Sequence, residues 1–558
     1  MRIAAILVLA VPLAAGAPQE QEDLLFRVLR DEMARATARL KLEKSGPPYY
    51  VEFSATENES FSAAGSFGAL TGRSEGKTRY CSIDLRVGDH GLDNTNFAGG
   101  GGRGGTGLTI DDDYDALRHE LWLATDRQYK SAVEELEKKK AFLQQNTVED
   151  RPDDLSKEEP VVLIQPPAKL TVDKARWSDV VKKVSGVFRD FPKIQKSRVS
   201  FFARSETRWF LNNEGFMHRV GETTYGFVMA ALIQADDGMK VSDGQLFVGM
   251  KEAELPAAEA LEKTARDLAK RLELVAAAPK AEEYRGPILF EGQAAADFLL
   301  QAVSDQAGSS HESLGNRGSG GNPWKDQIGQ KVASGFLSIT SDPTAKEYNG
   351  LPLIGSYDVD EDGVRAQKVD LIEKGVLKTF CMSRIPTRHI KKSNGHSQGG
   401  VGTPATLFIK STNVRTMDKL KEKLFELGRD EGMTHVMIAR RLVSPVGGSL
   451  DYGAFSQMMT GGRSQITILP PIQLYKVNIE TGAEELQRGA RFSGVSLRVL
   501  RDIAATADDT QARLAMDRRG SMGMIIAPSV LVKEIEISKP GKETEKLPSY
   551  PHPLFDGK

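Results

Sequence analysis

Two short segments in the second half of the chain constrain its fold most. Residues 369–380 (VDLIEKGVLKTF) place Lys374-Gly375 between two apolar runs, and residues 472–486 (IQLYKVNIETGAEEL) do the same with Thr481-Gly482. Strand-forming residues on both sides of a two-residue turn ending in glycine signal a β-hairpin. Antiparallel strands should therefore dominate this half. Helices are expected at residues 290–307 and 417–427, the second with Met417, Leu420, Leu424 and Leu427 on one face and Gly428 as its C-cap.

The first half alternates differently. Residues 23–42 carry apolar positions at helical spacing and stop at Pro47-Pro48; residues 49–56 and 78–87 read as strands with glycine-rich turns between them. The run NFAGGGGRGGTG (96–107) reads as a flexible loop: it lacks the Lys-Ser/Thr ending and the strand-then-helix frame of a phosphate loop. Asp111 to Asp113 can cap a long helix over Tyr114–Gln145. Residues 147–167, acidic and proline-rich, read as a linker or an extended crossing segment, followed by a helix at 177–188, strands over 199–247 and a helix at 255–274. The expected class is α+β in two domains: a mixed α/β unit over 20–275 with 96–145 inserted, an antiparallel-strand-rich unit over 285–538, and a loose tail over 539–558.

At the N-terminus, Arg2 precedes an apolar run over 3–13 and small residues over 14–17, the form of a secretory signal peptide. A cut after Gly16 is expected, since a cut after Ala17 would leave Pro18 at the new end. No later run reaches the ~18 apolar residues of a membrane span, so an exported protein, periplasmic or extracellular, is expected. The 74 Lys and Arg nearly balance 76 Asp and Glu, for a formal charge of -2, which argues against nucleic acid as a partner. Cys81 and Cys381 are too few for a disulfide framework or a cysteine-rich zinc knuckle, and read as two buried thiols.

A helix-borne zinc hydrolase needs two histidines about a turn apart with a carboxylate beside them. The pairs His119-Glu120 and His311-Glu312 both lack the second histidine. The segment DVDEDG has Asp358, Asp360, Asp362 and Gly363 at the offsets of half a calcium loop, but Val369 stands where the bidentate carboxylate belongs, so a turn between strands is expected. His389 and His396 flank RHIKKSNGHSQGG, with Ser393, Ser397 and Asp370 near in sequence. A Ser-His-Asp triad meets only in space and stays open here, with no strained elbow motif to support it. A ligand-contacting surface loop is the favoured reading.

Several segments together resemble the TldD/PmbA family, the so-called modulators of DNA gyrase. SYDVDEDGVRAQKVDLIEKGVLKTF (356–380) is similar to that family's acidic turn and following hairpin, SNGHSQGG (393–400) to its Gly/Asn loop, and ETRWFLNNEG (206–215) to a strand of its N-terminal domain. The resemblance implies a two-subunit peptidase for unstructured peptides, with His-Glu-x-x-x-His on the first helix of the C-terminal domain and a zinc-ligating cysteine near the C-terminus. Here the corresponding run is DFLLQAVSDQ, which puts Gln301, Ala302 and Gln306 at the motif positions; no cysteine follows Cys381, although the third ligand would fall around 516–529. Glutamine amides are poor zinc ligands and alanine is no base. The resemblance therefore implies a PmbA (TldE)-like subunit without zinc of its own, paired with a zinc-bearing TldD-like homologue or with itself. It would bind extended peptide, with Asp358, Asp360, Glu361, Asp362, Asn394 and His396 as candidate contacts to peptide or partner. The competing readings are a self-sufficient hydrolase built on His389 or His396, and a secreted binding module that has left proteolysis.

Overall fold

The computed structural model describes residues 23–42, 45–98, 103–309, 313–315, 322–448, 450, 466, 468–496, 498–516 and 522–539. The expected signal peptide, His311 and nearly all of the expected tail lie outside the described residues.

The first half is organised by long antiparallel ribbons. Strands β1 (Tyr50–Ser66), β2 (Ala69–Arg86), β3 (Gly104–Leu108), β4 (Val162–Ile164), β5 (Ile194–Asn212), β6 (Met217–Gln234) and β7 (Lys240–Gly249) form one sheet in the order β3-β2-β1-β5-β6-β4, with β7 also on β6. The expected short strands at 49–56 and 78–87 prove to be the base of a single hairpin that turns at Phe67-Gly68. Its polar outer half is held because Phe61 and Ala63 still point inward, at 1% exposure each, beyond Glu57 and Glu59 on the same face, where Glu57 pairs with Arg79 and Lys77. The end of the expected 96–107 loop is also strand, since Gly104 to Leu108 pairs with β2.

Odd-numbered positions of β1 and β5 share one face, which helices cover toward its two ends, with Glu57 and Glu59 on the polar stretch between them. Helix α1 (Leu24–Arg39), capped by the Asp23 carboxylate, and α2 (Tyr114–Gln145), capped by Asp113, bury Val51, Phe53, Ala55 and Trp209. Helix α3 (Lys174–Gly186) and α4 (Ala258–Ala277) bury Phe61, Phe201 and Phe227, with Trp177 stacked on Phe201 at 4.3 Å. The segment 147–167 is a packed crossing rather than a free linker. Asp154 within it is fully buried and accepts from Lys139 Nζ at 2.6 Å and the Asp93 N–H at 2.9 Å.

In the second half, α4 ends at Ala277 and strand β8 (Tyr284–Phe290) begins an eight-stranded sheet. Strand β9 (Leu337–Ser341) sits inside a six-stranded one. Helix α5 (Gly292–Ala307) lies in the core they share: Phe298, Leu299 and Val303 pack with Ile288, Met437 and Leu474 of one sheet and Ile339, Leu407 and Ile525 of the other. Each such side chain contributes ~1.5–3 kcal/mol by leaving water. Helix α6 (Met417–Asp430) covers the outer face of the larger sheet through Leu420 and Leu424. It runs past its expected cap. Gly428 lies inside the helix because Val436 and Ile479 press where a Cβ would stand, at 2.6 and 2.7 Å, and the left-handed turn falls at Gly432. Both expected hairpins form, the first through Lys374 (φ 46°) and Gly375 (φ 80°).

The two thiols are free and fully buried in separate cores, Cys81 in the first half and Cys381 in the second. No described helix is long and apolar enough to cross a membrane. The whole is an α+β fold whose second half is rich in antiparallel strands.

Candidate functional site

Helix α5 carries the three positions that the resemblance sets against the family's zinc motif. Gln301 is 5% exposed and its Oε1 accepts the Leu469 N–H at 2.8 Å; Ala302 is wholly buried; Gln306, 6% exposed, leaves its Oε1 without a partner. An amide oxygen already bonded to backbone, a methyl group and a second neutral amide do not make a zinc donor set. Cys381 lies beside the C-terminal end of α5, bridged to Gly308, but burial pushes its thiol up to about 12 and no described His, Asp or Glu joins it in a cluster. The stretch where the family pattern puts its third ligand falls partly outside the described residues, at 517–521.

The acidic turn at 358–363 closes on itself. Asp360 accepts the Asp362 and Val364 N–H groups through Oδ1 and the Ser397 N–H through Oδ2, at 2.8 to 3.0 Å. Asp362 accepts from Arg103 at 2.7 Å and from the Arg384 N–H at 3.1 Å, while Asp358 faces solvent and pairs with Lys346. Burial and the neighbouring Asp362 raise Asp360 well above the usual carboxylate range. Burial works against the Asp362 charge too, yet Arg103 holds its pKa below that range. With lone pairs committed to N–H donors, the half calcium loop is a turn between strands.

The expected loop contacts divide the same way. Asn394 accepts the Met382 N–H and donates to the Phe380 carbonyl, both at 2.8 Å, so it staples its own loop. His396 is fully buried, its Nε2 3.0 Å from Ser341 Oγ and its Nδ1 3.1 Å from Asn394, and burial pushes its pKa down to about 4. The serine that meets this histidine is Ser341 rather than Ser393 or Ser397, and Asp370 bonds Thr340 instead. Ser341 has no exposure and its Oγ also accepts the Ala405 N–H, so the pair is sealed from substrate. His389 is exposed, 3.5 Å from Asp326, and His119 lies on the open side of α2 against Trp122. Asp362, Asn394 and His396 thus stand as internal struts rather than surface contacts.

Asp360 and Glu361 do reach an opening. Even-numbered positions of β5 and the matching positions of β6 form the sheet face away from the helices, and the second-half loops dock there. Phe210, Phe216, Val359 and Val364 pack together at that junction. Arg384, 1% exposed at its side chain, ties it down by donating to Glu214 and the Ser156 carbonyl at 2.6 Å, stacked near Tyr50 and Phe216. Beside this seal lies a cavity of about 180 Å³ lined by Glu206, Arg208, His218 and Glu222 of the sheet and by Tyr357, Asp360 and Glu361 of the turn. Sequence reasoning missed the sheet half of this wall. The outward charges of β5 are visible in alternation, but only the register that sets Glu206 opposite Glu222 brings the two strands' groups together.

A model of the PmbA/TldA metallopeptidase C-terminal domain matches residues 283–468. A metalloprotease of Methanothermobacter thermautotrophicus is 24% identical over 235 residues, 42% of this chain and 49% of its own length. One of Archaeoglobus fulgidus is 33% identical over 107 residues, 19% of this chain and 24% of its own. The chain thus spans about half the length of the first curated relative and about a quarter of the second. Two solved structures share the fold across 92% of this chain and 100% of theirs: a candidate modulator of a DNA gyrase from Thermotoga maritima (TM-score 0.59, 15% identity) and TldE from Thermococcus kodakarensis (TM-score 0.57, 12% identity). Matched domain, metalloprotease relatives and shared fold agree: residues 283–468 carry the C-terminal domain of the PmbA/TldD family, in a chain whose fold is that of the TldE structure.

Proposed function

We propose that this chain is a non-catalytic, peptide-binding member of a metallopeptidase assembly, exported from the cytoplasm and paired with a zinc-bearing homologue that cleaves extended or unfolded peptides. The observation that carries the reading is the state of α5. Gln301 spends its amide oxygen on Leu469, Ala302 offers no base, and Gln306 offers only a neutral amide. The chain's own work is then to bind and orient peptide and to close one wall of a channel. An extended peptide can add as a strand to a sheet edge. Among the described residues, Gln511–Met516 is such an edge of the six-stranded sheet, and it packs directly against α5. Export rests on the sequence alone, on Arg2 and the apolar run that follows it.

Copurification from the native host tests the pairing: a homologue containing His-Glu-x-x-x-His should come down with this chain, and the pair should cleave unfolded peptide where this chain alone does not. Recovery of a stable homodimer alone would overturn the heteromeric form. Metal-free cleavage by the isolated chain, abolished by alanine at His389 and His396, would favour the self-sufficient hydrolase instead. Mass spectrometry of the mature chain should find its N-terminus at Ala17; an intact Met1 or Arg2 terminus would count against export.

A further inference from the structure

A second charged cluster, apart from the cavity, joins the two halves of the chain. Glu52 of β1, Asp84 of β2 and Asp362 of the second-half turn are buried, at 3%, 6% and 3% exposure, around one guanidinium, that of Arg103. Arg103 Nη2 stands 2.7 Å from Asp362 and 3.1 Å from Glu52, and its Nε stands 3.8 Å from Asp84. The arm that carries it is firmly seated. Strand β3 begins at the next residue, and a Cβ on Gly104 or Gly105 would stand 2.1 Å from Gln128 Oε1 or 2.0 Å from the Tyr80 hydroxyl, so the strand lies pressed against α2 and β2. Charge does not balance in this cluster. Arg86 is spent on Asp84 at 2.8 Å and Asp93 at 3.2 Å, and the Arg384 guanidinium on Glu214 and the Ser156 carbonyl. Glu52, Asp84, Asp93 and Asp362 therefore share two guanidiniums among the described residues. Buried carboxylates crowded in this way do not all ionise together. Glu52 is the one left short, since it divides Arg103 with Asp362 and otherwise meets only the Tyr50 hydroxyl, at 2.5 Å. Burial pushes Glu52 up to about 7; Arg103 and the Tyr50 hydroxyl oppose that rise, and the charges of Asp84 and Asp362 add to it. Burial also raises the Tyr50 hydroxyl and the nearby Cys81 thiol, so both stay neutral.

We propose that Arg103 is a proton-controlled clasp between the two halves: it grips Glu52 and Asp362 together while Glu52 is ionised, and its grip weakens when Glu52 takes up a proton. The direction follows from linkage. A docked guanidinium favours the Glu52 carboxylate, so the docked arm holds fewer protons than the released one, and docking strengthens as pH rises. Against its burial, Asp362 is kept below the usual carboxylate range by Arg103, so the second-half end of the clasp stays charged while the Glu52 end titrates. The clasp needs no ligand and stands independently of the peptide-binding reading.

The test uses the full chain in brief trypsin digests from about pH 6 to about pH 8.5, spanning the Glu52 transition. Mass spectrometry reads cleavage of the Arg103–Gly104 bond against a free peptide of the same sequence, which removes the protease's own pH dependence. Cleavage should slow as pH rises, roughly tenfold through one transition, the effect on docking of a pKa change of about one unit. Glu52→Gln should show the acid-side rate at every pH, and Asp362→Asn should move the transition to lower pH by removing a neighbouring charge. Hydrogen exchange over Gly104–Leu108 reads the same clasp without a protease and decides the matter if the bond resists trypsin throughout: protection should rise with pH in the native chain and stay level in Glu52→Gln. Should that variant fail to fold, Arg103→Gln takes its place and should erase the pH dependence of exchange over residues 358–364. A native chain that shows no pH dependence, a transition that survives Glu52→Gln, or a grip that tightens on acidification would overturn the proposal.

Discussion

Helix α5 and the β5 and β6 face are both polar places inside one molecule, and they have been settled in opposite ways. On α5 the groups at the metal-motif positions are neutral, and one is already tied to backbone through the Leu469 N–H. At the sheet face the groups are charged, and Arg208 pairs with Glu206 and Glu361 beside a cavity. A satisfied polar group holds structure; charged groups around a cavity leave it open to water and solutes. The α5 positions are taken up in packing, while charged groups gather where the two halves of the chain meet.

Placing a charge on α5 is the strongest way to break this contrast. Ala302→Glu would bury a carboxylate among Phe298, Leu299 and Val303 with no cation to meet it, and should cost at least ~3–5 kcal/mol in urea unfolding. A loss under ~1 kcal/mol would mean that the helix is open to solvent or ligand, and the contrast would fail. Arg384→Ala removes the tie between Glu214 and the Ser156 carbonyl, while Glu214 keeps His90 at 2.7 Å, with ~1–3 kcal/mol expected by the same measurement. An effect confined to the sealed junction, with α5 unchanged in hydrogen exchange, would sharpen the picture.

Acid should come next. His218 and His396 have folded pKa values near 3 and 4, both lowered first by burial, against an unfolded value near 6.5. Because the folded values lie below the unfolded one, the unfolded state takes up more protons once the pH drops under about 6.5. Stability present above that point is lost as pH falls toward 4, by up to a few kcal/mol in total. Melting temperature against pH should show this fall, and His396→Gln should flatten part of it; a flat profile between pH 7 and 4 would contradict the burial of both rings. Smaller still, Gln301→Leu leaves the Leu469 N–H bare, for ~1–3 kcal/mol. Lys346→Ala, which loses only a surface pair with the exposed Asp358, should change stability by under ~1 kcal/mol.

How much of this was legible follows from which forces are local. The Lys374-Gly375 and Thr481-Gly482 turns and the capped α2 were readable because their signals sit within a few residues of the structure they cause. The extent of the β1 and β2 hairpin was not, since the polar run through Glu57 and Glu59 looks like loop until Phe61 and Ala63 are given a core to enter. Gly428 reads as a stop signal in sequence, and only the close approach of Val436 and Ile479 shows why glycine is needed inside a helix. The candidate site divides likewise. Gln301, Ala302 and Gln306 follow from one helical register, whereas the cavity joins Glu222 of β6 to Tyr357 of a distant loop. Burial reversed the expected roles of Asn394 and His396, because a polar residue in a glycine-rich loop serves equally well as an inward strut.

The central claim is that this chain has kept the scaffold of a zinc peptidase and given up the metal. Elemental analysis of the purified full chain, alone and after copurification from its host, tests it most directly. The account predicts far less than one zinc per isolated chain and about one per complex, brought by the partner. One zinc bound stoichiometrically to the isolated chain would contradict it.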